Sequence, residues 1–280
     1  MAAGGLAHDD VGDPAGAPVV YLHGTPDSRL ARHPDDGIAR RLGIRLVAVD
    51  RPGFGSSPLD AAPLGPALGQ LADHLGIDRF ALLGWSSGGL AALGAAGHLA
   101  GRVTRLVLVA PVPPVEAYGD PEVLAALGRG RQLLAELAAE MPATDLAAEM
   151  AGQLVPQPLT PALALEHVLE GAGEVGRREL ASVSGAAEAV AAALQAGVAD
   201  GLAGVEADLL AQLTPGLDLR SVRAPVLTVH GELDELSPPA VGHWLAGRLA
   251  TAEVESVHTG GHHLLFPHWA HLLEAAVTSG

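Results

Sequence analysis

Apolar positions fall along this chain in two rhythms. Short unbroken apolar runs, fit for strands buried on both faces, alternate with stretches in which apolar residues recur every three or four positions. The runs are 19–23, 45–49, 80–83, 106–109, 225–230 and 254–257. Between them, helical spacing runs through Leu30, Ile38 and Leu42, and from Leu64 to Leu75, where Gly76 is a candidate C-cap. It returns over Leu90 to Leu99, Pro239 to Leu249 and Pro267 to Val277. Residues 1–18, rich in Gly, Ala, Asp and Pro, read as a loop with a weak edge strand at Leu6 to Val11.

Strands alternating with helices imply βαβ units and a mostly parallel sheet flanked by helices, an α/β fold. The rhythm breaks once. From Val112 to about Val222 there are only alanine-rich helical segments parted by Pro and Gly. The expected organisation is therefore a core of residues 1–111 and 223–280, with residues 112–222 inserted as a helical cap. No internal repeat is visible.

The third run ends in Gly84-Trp85-Ser86-Ser87-Gly88, a G-x-S-x-G pattern set between a strand and a helix. A serine lifted from a sheet on so sharp a turn holds strained backbone angles. Residues two before and two after it must be small or their side chains collide. Gly84 and Gly88 meet that demand around Ser86; centring the turn on Ser87 would put Trp85 in a small position. The following helix points backbone N–H groups and its positive dipole end at the turn, which suits a developing oxyanion.

Composition narrows the field. At 280 residues the chain suits one large α/β domain or a domain with an insertion. Apolar residues make up 49% and aromatics only 3%, so the interior must be built from Leu, Val and Ala. A formal charge of −16 argues against nucleic acid and anionic membrane surfaces as partners, since both demand a basic face, and disfavours strongly anionic substrates. Zero cysteines exclude disulfides, thiolate metal sites and a cysteine nucleophile, and fit a reducing cytoplasm. Met1 to Asp10 lacks the basic and apolar regions of a secretory signal, and no run of 18 apolar residues exists to span a bilayer. A cytoplasmic protein acting on a small molecule is expected, as a monomer or homodimer.

A serine nucleophile needs a base, an acid to orient that base, and two N–H donors for the oxyanion. The C-terminal half offers candidates at strand ends: Glu232, Asp234 and Glu235 after one run, and His258, His262 and His263 after the next. His262, His263, His268 and His271 have no metal-ligand spacing such as H-E-x-x-H, and no G-x-G-x-x-G follows a strand. Neither a metal nor a dinucleotide cofactor is expected.

Four motifs now stand in order: His23-Gly24-Thr25-Pro26, then Asp50 to Ser57 (Asp-Arg-Pro-Gly-Phe-Gly-Ser-Ser), then the serine turn, then His230 to Asp234 with Gly261-His262. Together they resemble the α/β-hydrolase fold family, in particular its capped branch with epoxide-hydrolase-like and haloperoxidase-like motifs and a serine nucleophile. The resemblance spans residues 19–280. One departure is that the family usually has one or two antiparallel strands before the His-Gly motif, and this N-terminus is too short for both.

The resemblance implies Ser86 as nucleophile, Asp234 as acid and His262 as base. It selects Asp234 because the family's acid stands four residues after the motif histidine, and His262 because the family's histidine follows a glycine. The oxyanion N–H groups would be those of Ser87 and Thr25. His23, Asp50 and Arg51 would hold loops. Pro26, Trp85, Leu236 and Leu264, with cap leucines, would line an apolar acyl site. Relatives that act as haloalkane dehalogenases or epoxide hydrolases attack with aspartate, so a serine points instead to an acyl-enzyme and to esters, thioesters or lactones. Carbon–carbon bond hydrolysis and non-catalytic ligand binding on the same fold are the alternatives.

Overall fold

In the computed structural model, which describes residues 5–60, 62–99, 101–156 and 158–278, seven strands form one sheet. They are β1 (His8–Gly12), β2 (Ala17–Leu22), β3 (Ile44–Val49), β4 (Phe80–Trp85), β5 (Val103–Val109), β6 (Val226–Gly231) and β7 (Ala252–Val257). The spatial order is β1-β3-β2-β4-β5-β6-β7. Only β1 is antiparallel, pairing His8 with Val49 and Gly12 with Arg45. The single early strand expected at Leu6 to Val11 is this edge strand, shifted by one or two residues. The first four residues of that N-terminal stretch lie outside the described residues.

Alternation within each strand divides the core in two. Val19 and Tyr21 of β2, Leu83 and Trp85 of β4, and Val107 and Val109 of β5 face one side. Val20 and Leu22, Phe80 and Leu82, and Leu106 and Leu108 face the other. A sheet apolar on both faces must be covered on both, which is why the runs read as continuous. Helices α2 (Leu64–His74), α3 (Ser87–His98) and α11 (Pro239–Ala246) supply the second cluster. Helices α1 (Gly37–Arg41) and α12 (Trp269–Val277) supply the first. Each fully buried Leu or Val contributes about 1.5–3 kcal/mol by leaving water.

The helix expected through Leu30, Ile38 and Leu42 shrinks to the five residues of α1. Pro34 explains this, because a proline pushes the residue before it away from helical angles. Tyr21 Oη instead takes the Ala31 carbonyl as its acceptor and fixes the loop to the sheet. After Leu75, Gly76 sits at φ +68°, a left-handed C-terminal turn that glycine adopts at no steric cost.

Between β5 and β6 the described residues hold seven α-helices and no strand: α4 (Pro121–Ala126), α5 (Arg129–Glu140), α6 (Ala143–Leu154), α7 (Pro161–Gly171), α8 (Gly173–Ala181), α9 (Ala186–Gly197) and α10 (Ala203–Leu213). This helical segment sits on the C-terminal ends of the strands and touches two core loops closely. A methyl group on Gly197 would stand 2.5 Å from the Asp27 carbonyl oxygen and closer still to that of Pro26. A methyl group on Gly204 would stand 2.5 Å from the Gly53 carbonyl carbon. No described helix is long and apolar enough to cross a membrane.

Candidate active site

Sheet order decides where a site can form. The chain steps from β2 outward to β3 and then returns to β4 on the other side of β2. The loops after β2 and β4 therefore diverge and leave a crevice at their C-terminal ends. Ser86 follows β4 at that crevice, with φ 55° and ψ −125°, strained for a residue with a side chain. A methyl group on Gly84 would lie 2.7 Å from the Gly88 carbonyl carbon, and one on Gly88 would lie 2.8 Å from the Leu22 carbonyl carbon. The two small positions are thus enforced by backbone on both sides of the turn. The Ser86 N–H is held by the Val109 carbonyl at 2.9 Å.

The loop after β7 brings His262 over this serine. Its Nε2 is 3.0 Å from Ser86 Oγ and its Nδ1 is 2.8 Å from Asp234 Oδ2. A carboxylate facing Nδ1 requires the proton there, which leaves the Nε2 lone pair facing the hydroxyl. Asp234 is buried, and burial alone would raise its pKa. The positive charge and hydrogen bond available from His262, with N–H bonds from Ser237 and Leu236, outweigh that and hold it below the usual carboxylate range. The carboxylate is therefore charged, oriented and sealed.

The rival residues are elsewhere. Glu232 and His258 pair with each other at 2.7 Å on the exposed surface. The Glu235 carbonyl accepts the Gly128 N–H. His263 stacks near Trp85, with ring centroids 5.7 Å apart, and its buried Nδ1 has no hydrogen-bond partner among the described residues. Burial lowers its pKa to about 3, so the ring stays neutral.

Thr25 and Ser87 face each other across the crevice, their hydroxyls 2.8 Å apart. Neither backbone N–H has an acceptor among the described residues, and Ser87 is the first residue of α3, where helix N–H groups are free. Their side chains, by contrast, are engaged. Buried Arg51 donates from Nη2 to Thr25 Oγ1 at 2.8 Å and to Ser87 Oγ at 3.1 Å. Its other branch pairs with Asp208 of α10. His23 lies beneath: its Nδ1 donates to the Gly24 carbonyl at 2.7 Å and its Nε2 accepts the Arg51 N–H at 3.1 Å. Burial, then the nearby Arg51 charge, keep this imidazole neutral. Asp50 accepts the N–H groups of Arg29 and Ser56.

A second carboxylate from the helical segment reaches the histidine loop. Glu179 of α8 accepts the Gly261 N–H at 2.6 Å and the His263 N–H at 3.0 Å, one on either side of His262. Trp85 Nε1 donates to the His262 carbonyl at 2.9 Å. Nothing in the local sequence pointed to Asp208 or Glu179; both act across more than 80 residues.

Above Ser86 lies a cavity of about 780 Å³ lined mostly by apolar side chains of α5, α6 and α9. Of the four residues named above for an acyl site, Pro26, Trp85 and Leu236 line this cavity. Leu264 does not. It is fully buried in the core with Phe266 and Trp269, because the chain turns inward after His263 and carries Leu264 under the sheet face. Among the described residues, no three His, Cys, Asp or Glu side chains gather closely enough to hold a metal ion.

Comparison with known proteins agrees with this architecture. Residues 17–268 match the family model described as the alpha/beta hydrolase fold. A pimeloyl-[acyl-carrier protein] methyl ester esterase of Aromatoleum aromaticum is 31% identical over 230 residues, covering 79% of this chain and 81% of that protein. Among solved structures, the enol-lactonase of Burkholderia xenovorans superposes with a TM-score of 0.68 at 18% identity, covering 99% of this chain and 97% of that one. A bromoperoxidase of Bacillus anthracis gives 0.70 at 21%, covering 96% and 93%. At such identities the structural likeness shows the fold alone. The family match spans most of the chain, and the chain belongs to the alpha/beta hydrolase fold family as an α/β-fold hydrolase.

Proposed function

We propose that this chain is a serine hydrolase that cleaves a small, largely apolar carboxylic ester, thioester or lactone through an acyl-enzyme on Ser86. The observation that carries the reading is the unbroken relay from Ser86 Oγ through His262 to Asp234, with contacts of 3.0 and 2.8 Å. In the reaction, Ser86 Oγ bonds to the substrate carbonyl carbon as His262 Nε2 takes its proton. The carbonyl oxygen becomes an oxyanion facing the N–H groups of Thr25 and Ser87. The bond to the alkoxy oxygen then breaks, and His262 returns the proton to the departing alcohol. Water repeats the sequence on the acyl-enzyme and releases the acid.

The helical segment between β5 and β6 serves as the cap. It roofs the cavity with leucines that exclude water and favour an apolar acyl chain. The esterase relative supports an ester substrate; in that protein it is a methyl ester of a carrier-bound acyl group. The formal charge of −16 disfavours a strongly anionic ester here.

The test is active-site labelling with a fluorophosphonate, located by peptide mass spectrometry, beside a chain-length series of p-nitrophenyl esters. Wild type should be labelled on Ser86 and hydrolyse the series. Ser86→Ala should lose both, with a fall in kcat on the order of a millionfold, while Ser87→Ala keeps its label. Equal labelling of wild type and Ser86→Ala would remove the proposal.

A further inference from the structure

The carboxyl groups buried around this site differ in one respect. Asp50 is held by Arg29 and two backbone N–H groups, Asp234 by His262 and two backbone N–H groups, and Glu179 by two backbone N–H groups. Asp208 takes Arg51, Thr25 and Gln212. Asp27 is as buried as these, only 7% exposed, yet among the described residues no donor reaches its side chain. Its oxygens are also absent from the sealed polar atoms that lack partners, so they keep open surface, and the residue lines the cavity beside Thr25 and Pro26.

A buried carboxyl without donors is costly to a fold unless something else supplies them. The position is also rigid. Its backbone N–H bonds the Gly24 carbonyl at 3.2 Å, and Gly197 of α9 lies against its carbonyl, so the backbone that carries the side chain is held in place. The cavity wall mixes apolar side chains such as Pro26, Trp85 and Leu194 with polar ones, among them Arg131, Glu149, Gln153, His167 and Gln212. Of its two lining carboxyls, Glu149 accepts from Gln153 Nε2 at 3.1 Å, whereas Asp27 has no donor among the described residues, and an acceptor left open in a cavity wall can orient a ligand by a polar contact.

Resting on the serine-hydrolase reading above, we propose that Asp27 is the polar subsite of the acyl cavity, and that the substrate carries a hydrogen-bond donor, a hydroxyl or a protonated amine, close to its scissile carbonyl. A site built to accept a donor rejects the analogue lacking it much more strongly than an apolar pocket rejects an extra methyl group, because the acceptor is then left bare. Burial raises the Asp27 pKa to about 7, against the charges of Arg51 and His262, which lower it. Near neutrality the carboxyl is therefore ready to share or accept a proton, which suits either donor.

The experiment compares ethyl 3-methylbutanoate with ethyl 3-hydroxybutanoate and ethyl 3-aminobutanoate, and the same three groups at position 4 of the acyl chain, by pH-stat. In wild type at least one donor ester should exceed its methyl isostere by about tenfold or more in kcat/KM. Asp27→Leu should erase that ratio. Asp27→Asn, nearly isosteric and expected to fold, should keep a hydroxyl preference and lose an ammonium preference, which separates the two donors. The same esters titrated calorimetrically into Ser86→Ala give the ordering as Kd, with no turnover needed. A wild-type preference for every methyl isostere, a donor preference unchanged in Asp27→Leu and Asp27→Asn, or equal Kd values across the series would overturn the subsite. Each would leave the Ser86 labelling result, and hence the hydrolase reading, untouched.

Discussion

Glu179 and Gly261 join the helical segment to the loop after β7: a buried carboxylate on α8 accepts the Gly261 N–H at 2.6 Å, immediately before His262. The same group takes the His263 N–H, so His262 is bracketed by two bonds to one side chain. Gly261 allows this approach, since a methyl group there would sit 2.7 Å from Val175 and 3.2 Å from the Glu179 carboxylate. The helical segment is thereby tied to the loop that holds His262 over Ser86.

Replacing Glu179 should therefore act on turnover more than on binding. Glu179→Ala leaves two buried N–H groups bare and should lower kcat by about ten- to hundredfold, the rate equivalent of about 1.4–2.8 kcal/mol. KM should change little, and Glu179→Gln, which retains one acceptor oxygen, should recover part of the loss. Steady-state kinetics with one p-nitrophenyl ester decide it. A change confined to KM, or to the melting temperature, would make Glu179 a packing residue and nothing more.

Gly197 supplies a second junction, between α9 and the Pro26-Asp27 backbone. A methyl group there has no flexible neighbour to displace, only carbonyl oxygens. Gly197→Ala should cost about 1–3 kcal/mol by overpacking, read as a lower urea midpoint. It should also raise KM as the cavity wall moves. An alanine variant as stable as wild type, with unchanged KM, would show that the helical segment rides free of this loop.

How much of this could be read beforehand follows from the range of the interactions involved. Ser86 was legible because its constraint is local: two glycines at fixed offsets, a strand before and a helix after. Asp234 and His262 needed the order of motifs as well as residue type, since Glu232 and His258 stand close by with the same chemistry. Asp208 and Glu179 were invisible, for each acts on a loop distant in sequence and leaves no periodic trace. Leu264 was misplaced for a related reason. An apolar residue after His263 fits a cavity wall or a core equally well, and only the inward turn of the chain chooses. Leu30 misled through spacing alone, with Pro34 already present to contradict it.

The neutral histidines set the acid stability. His263 has its folded pKa lowered to about 3 and His230 to about 4, both by burial first. In the unfolded chain each titrates near about 6.5. Above that value neither state binds the proton and nothing is lost. As pH falls below it, the unfolded state takes up protons first, and stability declines by about 1.4 kcal/mol per pH unit for each group until the folded value is reached. Urea denaturation at intervals from pH 7.5 to 5 should show this decline. His263→Gln should flatten it by one group's share, whatever its effect at pH 7.5. An unaltered slope in that variant would mean His263 is charged, or solvated, in the folded protein.

A single pH profile does not isolate Asp27, because any ionisation that all substrates share shapes every profile alike. Dividing kcat/KM for an amino ester by that for its methyl isostere removes the shared dependence. What is left reports the carboxyl facing the amine. The charged or titratable groups around Asp27 are Arg51 from the loop after β3, His262 from the loop after β7, Tyr21 of β2 and, beyond Tyr21, Arg32. Arg51 and His262 favour the anion, and burial opposes them and prevails, which gives the value of about 7. Below it the carboxyl is neutral and holds an ammonium weakly; above it the pair is ionic. The ratio should therefore rise about tenfold per pH unit up to about 7 and level off above, until the amine itself loses its proton. The hydroxy ester, which either form of the carboxyl can bond, should give a much flatter ratio. In Asp27→Asn the amino-ester ratio should be level throughout. A level ratio in wild type, or an identical rise in Asp27→Asn, would assign the titration to another group and leave Asp27 without a role in choosing the substrate.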